Sequence, residues 1–231
     1  MSKVLKVYMQ GSCFAGSIRS ILAGCENRKF SFRSAKTLQD ADVVLYTGGA
    51  DISPQLYGEP SMASTYVSYQ QDTSDQETYH EALRLKKFQV GICRGAQFLS
   101  TMAGGKLWQD VDKHAGPNHE VEDTMTKTKV MVSSLHHQGI VLPLGAELLA
   151  WCNRSTHKVS NGRLWDSKIS PEPSVDVEAF WIGKTKALGV QWHPECGPNG
   201  CVELFFDYIE RYYEDEKEET GNGTSGAMEA A

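Results

Sequence analysis

No apolar run in these 231 residues approaches the length of a membrane span, and the opening Met1-Ser2-Lys3-Val4-Leu5-Lys6-Val7 lacks the long apolar segment of a secretory signal. The reading is therefore of a soluble, cytoplasmic protein. Repeated cysteine spacing is also missing. The six cysteines, at 13, 25, 93, 152, 196 and 201, are scattered, which excludes a disulfide framework and fits a reducing compartment. Cys196 and Cys201 lie close to His193, but no second Cys or His pair completes four ligands, so neither metal nor cofactor is expected. Basic and aromatic residues are nowhere clustered as a nucleic-acid surface requires. Net charge is scarce except at the end. Residues 214–231 hold six acidic residues against one lysine and so carry most of the formal net charge of −6. With little apolar surface to bury, that stretch reads as a disordered acidic tail, leaving residues 1–213 as one domain.

Within that domain, strand and helix patterns alternate. Residues 4–9, 30–32, 41–46 and 88–92 read as strands, with helices over 17–22, 74–85 and 96–103. The run 41–46 is apolar on both faces, as a buried parallel strand is. Ser74-Asp75-Gln76-Glu77 has capping-box spacing and predicts the start of the helix before residue 88, which leaves 53–73 as a long loop. Further strands are expected at 128–132, 147–151, 175–181 and 187–192, then a helix over 201–213. This alternation predicts an α/β fold with a mostly parallel, doubly wound sheet.

The organising stretch is Phe88-Gln89-Val90-Gly91-Ile92-Cys93-Arg94-Gly95-Ala96-Gln97-Phe98-Leu99. A short apolar strand runs into a cysteine flanked by two glycines and turns directly into an amphipathic helix. Such a corner pushes its central side chain outward, and the helix N-terminus favours thiolate over thiol. Cys93 is thus the candidate nucleophile, against the alternative of a buried structural cysteine.

A cysteine hydrolase also needs a base and a group to orient it. His193 and Glu195 end an apolar strand that, in a parallel sheet, finishes at the same edge as Cys93. For the developing oxyanion, the amide of Arg94 and one from Gly48-Gly49, at the end of strand 41–46, are the candidate donors. His119, His136 and His137 compete as base, but without a Pro-Glu partner they read better as loop or structural residues.

Together these segments resemble the class I glutamine amidotransferase superfamily, and within it the γ-glutamyl-γ-aminobutyrate hydrolase branch of peptidase C26. The matching motifs are Gly48-Gly49-Ala50-Asp51-Ile52-Ser53-Pro54 with Tyr57-Gly58-Glu59, Gly91-Ile92-Cys93-Arg94-Gly95-Ala96-Gln97, and Gly104-Gly105-Lys106-Leu107-Trp108-Gln109-Asp110. Ser134-Leu135-His136-His137-Gln138-Gly139-Ile140, Val177-Glu178-Ala179 and Gly189-Val190-Gln191-Trp192-His193-Pro194-Glu195 follow in family order.

The resemblance implies a flavodoxin-like three-layer sandwich and a Cys93, His193, Glu195 triad that cleaves a γ-glutamyl amide through a thioester. It implies an oxyanion hole at Gly49 and Arg94, and substrate binding by Gln97, Ser134, Leu135 and His136. The expected partner is a small γ-glutamyl compound, not a membrane or a nucleic acid, and a homo-oligomer is compatible with this reading. The alternative is a glutaminase subunit that delivers ammonia or an acyl group to a separate synthetase or amide ligase. The chain departs from the family at Asp75-Gln76, where an Arg-Asp pair is usual, and at Ser100, where Asn is usual. An aspartate facing the amine side would favour a neutral or cationic leaving group.

Overall fold

The computed structural model describes residues 2–25, 28–161, 163–166, 168 and 175–222, with side chains described up to residue 214. In chain order the first half contains β1 (Lys3–Gln10), α1 (Ala15–Ala23), β2 (Phe30–Ser34), β3 (Val43–Tyr46), α2 (Tyr69–Arg84), β4 (Phe88–Ile92) and α3 (Arg94–Met102). The second half contains β5 (Lys106–Trp108), β6 (Asp110–Val111), β7 (Ala115–Asp123), β8 (Lys129–Leu135), β9 (Gly139–Val141), β10 (Glu147–Cys152), β11 (His157–Ser160) and β12 (Arg163–Asp166). It closes with β13 (Asp176–Ile182), β14 (Ala187–Val190) and α4 (Asn199–Asn222).

The main sheet runs β2-β1-β3-β4-β14-β13-β10-β7-β8, and β9 adds to β13 and β5. From β2 to β14 every pairing is parallel; from β14 onward the pairings are antiparallel. The sheet is therefore mixed, and the parallel half carries the candidate nucleophile. Strands β6, β11 and β12 form a small second sheet.

Side-chain alternation along the strands decides which helices cover which face. In β3, Val43 and Leu45 pack into a cluster with Ile18 and Leu22 of α1 and with Leu204, Phe205, Tyr208 and Ile209 of α4. Val44 and Tyr46 point the other way, to Tyr79 and Ala82 of α2 and to Ala96, Phe98 and Leu99 of α3. Two helix pairs on opposite faces of one sheet make the expected three-layer α/β sandwich. Each large apolar side chain buried this way contributes about 1.5–3 kcal/mol.

Three boundaries differ from the sequence reading. Helix α2 begins at Tyr69, not at Ser74: its N-cap is Ser68, whose side chain accepts from the Gln71 amide at 3.4 Å. Ser53 to Tyr57 is likewise not open loop, since Pro54–Tyr57 forms a 3-10 turn. Helix α4 continues to Asn222, so the expected domain boundary at 213 is not a helix end. The acidic run begins Glu-Asp-Glu-Lys-Glu-Glu, all but one of them good helix formers, and so extends the helix it follows. Residues 223–231 of the expected tail lie outside the described residues. Among those described, no helix is long and apolar enough to cross a membrane.

Candidate active site

Cys93 is the last residue before α3, at φ 51° and ψ −107°, a conformation that L residues rarely adopt. The corner holds because its neighbours are locked. The Cys93 amide donates to Val190 O at 2.8 Å, and Gly95 lets α3 sit directly on β3. A Cβ on Gly95 would lie 2.2 Å from the carbonyl oxygen of Tyr46. The sharp turn from strand to helix is thus set by close backbone approach.

β14 pairs in parallel with β4, with Val190 opposite Ile92, so the two strands end side by side. His193 lies three residues beyond Val190. Its backbone is pinned by Ser133 of β8, whose hydroxyl accepts from the His193 amide at 2.8 Å and donates to its carbonyl at 3.0 Å. The ring packs edge-on against Phe14 at 5.3 Å. Nδ1 lies 2.7 Å from Oε1 of Glu195. Burial works against a charge on this imidazole, yet hydrogen bonds to Cys93 and Glu195, and their negative charges, push its pKa up to about 10. The structure therefore brings Cys93, His193 and Glu195 into one continuous contact.

Gly48 and Gly49 close over this group. A Cβ on Gly48 would lie 2.6 Å from His193 Cε1, and one on Gly49 would lie 3.0 Å from Arg94 Cδ. The Gly48-Gly49 turn thus packs directly against the His193 ring and the Arg94 side chain. Gln97 is buried in α3, its amide donating to Gln138 O and Gln191 Oε1 at 3.3 Å each. Gln191 in turn donates to Cys93 Sγ at 3.8 Å. Ser134 is buried and donates to His114 O at 2.8 Å, whereas Leu135 is half exposed. His136 turns inward, with Nδ1 2.9 Å from Gln138 O and Nε2 4.0 Å from Glu178 Oε1, and burial pushes its pKa down to about 4. His119 also meets Glu178, at 2.9 Å, and His137 lies 3.1 Å from Asp51. His193 is the imidazole in contact with the Cys93 sulfur.

The sequence model of the peptidase C26 family matches residues 3–195, a span that ends on Glu195. The chain belongs to the peptidase C26 family. Among its relatives, the glutamine amidotransferase-like protein YvdE of Lactococcus lactis is 31% identical over 175 residues, covering 67% of this chain and 66%, just under two thirds, of its own length. NtpR of Enterococcus hirae is 31% identical over 196 residues, covering 74% and 75%. A carbamoyl phosphate synthase small chain of Pasteurella multocida is 33% identical over 129 residues, covering 55% of this chain and 29% of its own. The fold matches that of a GMP synthase component from Thermoplasma acidophilum, with a TM-score of 0.60 at 15% identity over 96% of this chain and 100% of that one.

In this C26 chain the departure at residue 75 takes on a different meaning. Asp75 does not face a substrate: it is buried and paired with Arg94 Nη1, while Arg94 Nη2 lies 2.5 Å from Asp72. Gln10 covers the far side, donating to Asp75 Oδ1 at 3.0 Å. The expectation of a negative charge at the amine side is therefore corrected. Asp72 and Asp75 lie three residues apart on the inner face of α2, where they grip the arginine that follows the nucleophile. With α2 read as starting at 74, Asp72 falls outside the helix and that shared face cannot be seen.

Replacing Arg94 with leucine would leave both carboxylates buried without a cation. Arg94→Leu is expected to lower stability by about 3–5 kcal/mol in denaturant unfolding. A loss under about 1 kcal/mol would show that this group of three charges contributes little.

Proposed function

We propose that the chain hydrolyses a γ-glutamyl amide, glutamine or a γ-glutamyl amine, through a γ-glutamyl thioester. The observation that carries this reading is the Cys93 corner in contact with a His193 that Glu195 holds at 2.7 Å. The Cys93 thiolate attacks the γ-carbonyl, and the amides of Gly49 and Arg94 donate to the developing oxyanion, each worth about 3 kcal/mol of barrier. The His193 imidazolium gives its proton to the departing amine. It then takes one from water, which attacks the thioester, releases glutamate and restores the thiolate. In this reading Gln97 and the Ser134-Leu135-His136 strand end hold the glutamyl group.

The amine side is read from a groove of about 490 Å³ lined by Gln10, Ser12, Cys13, Gly49, Gln71 and Ser74 among others. It adjoins the imidazole through Cys13 and Gly48, and none of its lining residues is charged. A carboxylate or an ammonium on the leaving group would lose water there without gaining an ion-pair partner. Ammonia, released from glutamine, fits best, and the case for a cationic amine falls with the correction at Asp75. The check compares kcat/KM for glutamine, γ-glutamyl-γ-aminobutyrate and a γ-glutamyl diamine on the purified chain. Glutamine is expected to lead by about tenfold or more, a difference of about 1.4 kcal/mol. A lead for either charged amine would overturn the assignment.

A second reading, a glutaminase subunit serving a separate synthetase or amide ligase, draws on the relative named as the small chain of carbamoyl phosphate synthase. Turnover by the purified chain alone supports the hydrolase. Silence until a ligase is added supports the partner-dependent reading.

A further inference from the structure

One strand beyond the candidate triad lies a second cluster of reactive side chains that the hydrolysis does not use. His119 on β7, Cys152 at the end of β10 and Glu178 on β13 belong to three adjacent antiparallel strands, and His114 immediately precedes β7. All four are buried, Glu178 completely. Each offers a ligand atom, and these atoms lie within 4.8 Å of one another. From Glu178 Oε1 the distances are 2.9 Å to His119 Nε2, 3.4 Å to His114 Nδ1 and 3.7 Å to Cys152 Sγ. Tetrahedral zinc with bonds of about 2.0–2.3 Å sets its ligands about 3.3–3.7 Å apart.

The polar atoms here are poorly served by protein partners. Neither ring nitrogen of His114 makes a hydrogen bond, and neither does Nδ1 of His119 or Oε2 of Glu178. Each such buried orphan is costly, and a cation at the centre of the cluster would give His114 Nδ1 the partner it lacks. The surroundings are also built to orient ligands. His114 Nε2 lies 3.3 Å from Asp176 Oδ2, which leaves Nδ1 facing inward, and Asp176 is itself held by Lys158 Nζ and the Arg154 and Ser155 amides. A carboxylate behind a ligating imidazole is the usual outer support of a metal centre.

We propose that His114, His119, Cys152 and Glu178 form a closed, structural site for a divalent transition-metal ion of the zinc type. The donor set of two imidazoles, one thiolate and one carboxylate selects zinc-like ions over magnesium or calcium. Charge balances: binding displaces the Cys152 proton to solvent, and the thiolate and the Glu178 carboxylate neutralise the 2+ ion. The ion ties β13, β10 and β7 together and has no open coordination position for substrate. His136 stands just outside the set, its Nε2 4.0 Å from Glu178 Oε1.

The test uses the full untagged chain, stripped with a chelator and titrated with Co²⁺ as a spectroscopic probe. One equivalent is expected to produce the intense visible bands of a tetrahedral site together with a sulfur-to-cobalt charge-transfer band, all displaced by Zn²⁺. Cys152→Ala should lose the charge-transfer band, and Cys196→Ser, which alters the exposed thiol beside His193, should keep every band. X-ray absorption on the zinc-loaded parent should show one sulfur at about 2.3 Å with nitrogen and oxygen neighbours, a readout that stands even where Cys152→Ala does not fold. The proposal is overturned by absence of bands at stoichiometric Co²⁺, by bands lost in Cys196→Ser but kept in Cys152→Ala, or by a shell without sulfur.

Discussion

Cys93→Ala is expected to lower turnover of glutamine by about 10⁵-fold or more, the scale seen when a covalent nucleophile is removed, while the protein remains folded. The reason is that no other thiol can replace it. Cys13 and the exposed Cys196 lie beside the triad, but partial loss of solvent, followed by the charge of Cys93 on Cys13 and of Glu195 on Cys196, raises the pKa of both and disfavours their thiolates. Burial raises Cys25 to about 11 and Cys201 to about 12, and Cys152 is pushed up as well. Of the six cysteines, Cys93 alone occupies a left-handed corner at the head of a helix. A diazo-ketone analogue of glutamine should therefore label Cys93 in the parent and nothing in the variant. Near-normal activity in Cys93→Ala, or a label on Cys13 or Cys196, defeats the assignment.

Glu195→Gln should reduce kcat by about 10²–10⁴-fold with little change in fold, because the amide still reaches Nδ1 but cannot stabilise an imidazolium. The same substitution has a signature in stability. The folded pKa of His193, about 10, lies above the ordinary 6.5, so above pH 6.5 the folded protein keeps a proton that the unfolded chain releases. The stabilisation this provides is complete below pH 6.5 and disappears as pH rises toward 10. Denaturant unfolding across that window should show the decline in the parent and a shallower one in Glu195→Gln, which removes one of the two groups that hold the proton. An unchanged kcat, or an identical decline in both proteins, removes Glu195 from this role.

What residue order reveals and what it conceals divides along a physical line. The Cys93 corner is legible because its requirements are local: an apolar strand, small flanking residues and an amphipathic helix all lie within a dozen positions. His193 and Glu195 are legible because one parallel strand places both at a known sheet edge. The start of α2 is hidden for the opposite reason. Its buried positions include Asp72 and Asp75 beside Tyr79 and Ala82, so half of the inward stripe is acidic and the apolar period vanishes. Those acids are inside only because Arg94, distant in sequence, neutralises them. β7 escapes a sequence reading because only three of its nine residues are buried. The histidine and carboxylate cluster is equally hidden, since its four members come from residues 114 to 178 and meet only once the antiparallel strands pair.

The grip of Asp72 and Asp75 on Arg94 also sets how readily the amine preference could be re-engineered. Along one helix, residues 72 and 75 anchor the Cys93 corner through Arg94 while Gln70, Gln71 and Ser74 face the groove. Ancestral drift or laboratory selection can therefore rewrite 70, 71 and 74 in combination without moving Cys93, whereas loss of Asp72 or Asp75 would leave the buried Arg94 charge with one partner fewer. Selectivity and integrity are interleaved within the first two turns yet separable residue by residue, which makes this helix the natural cassette for new leaving groups.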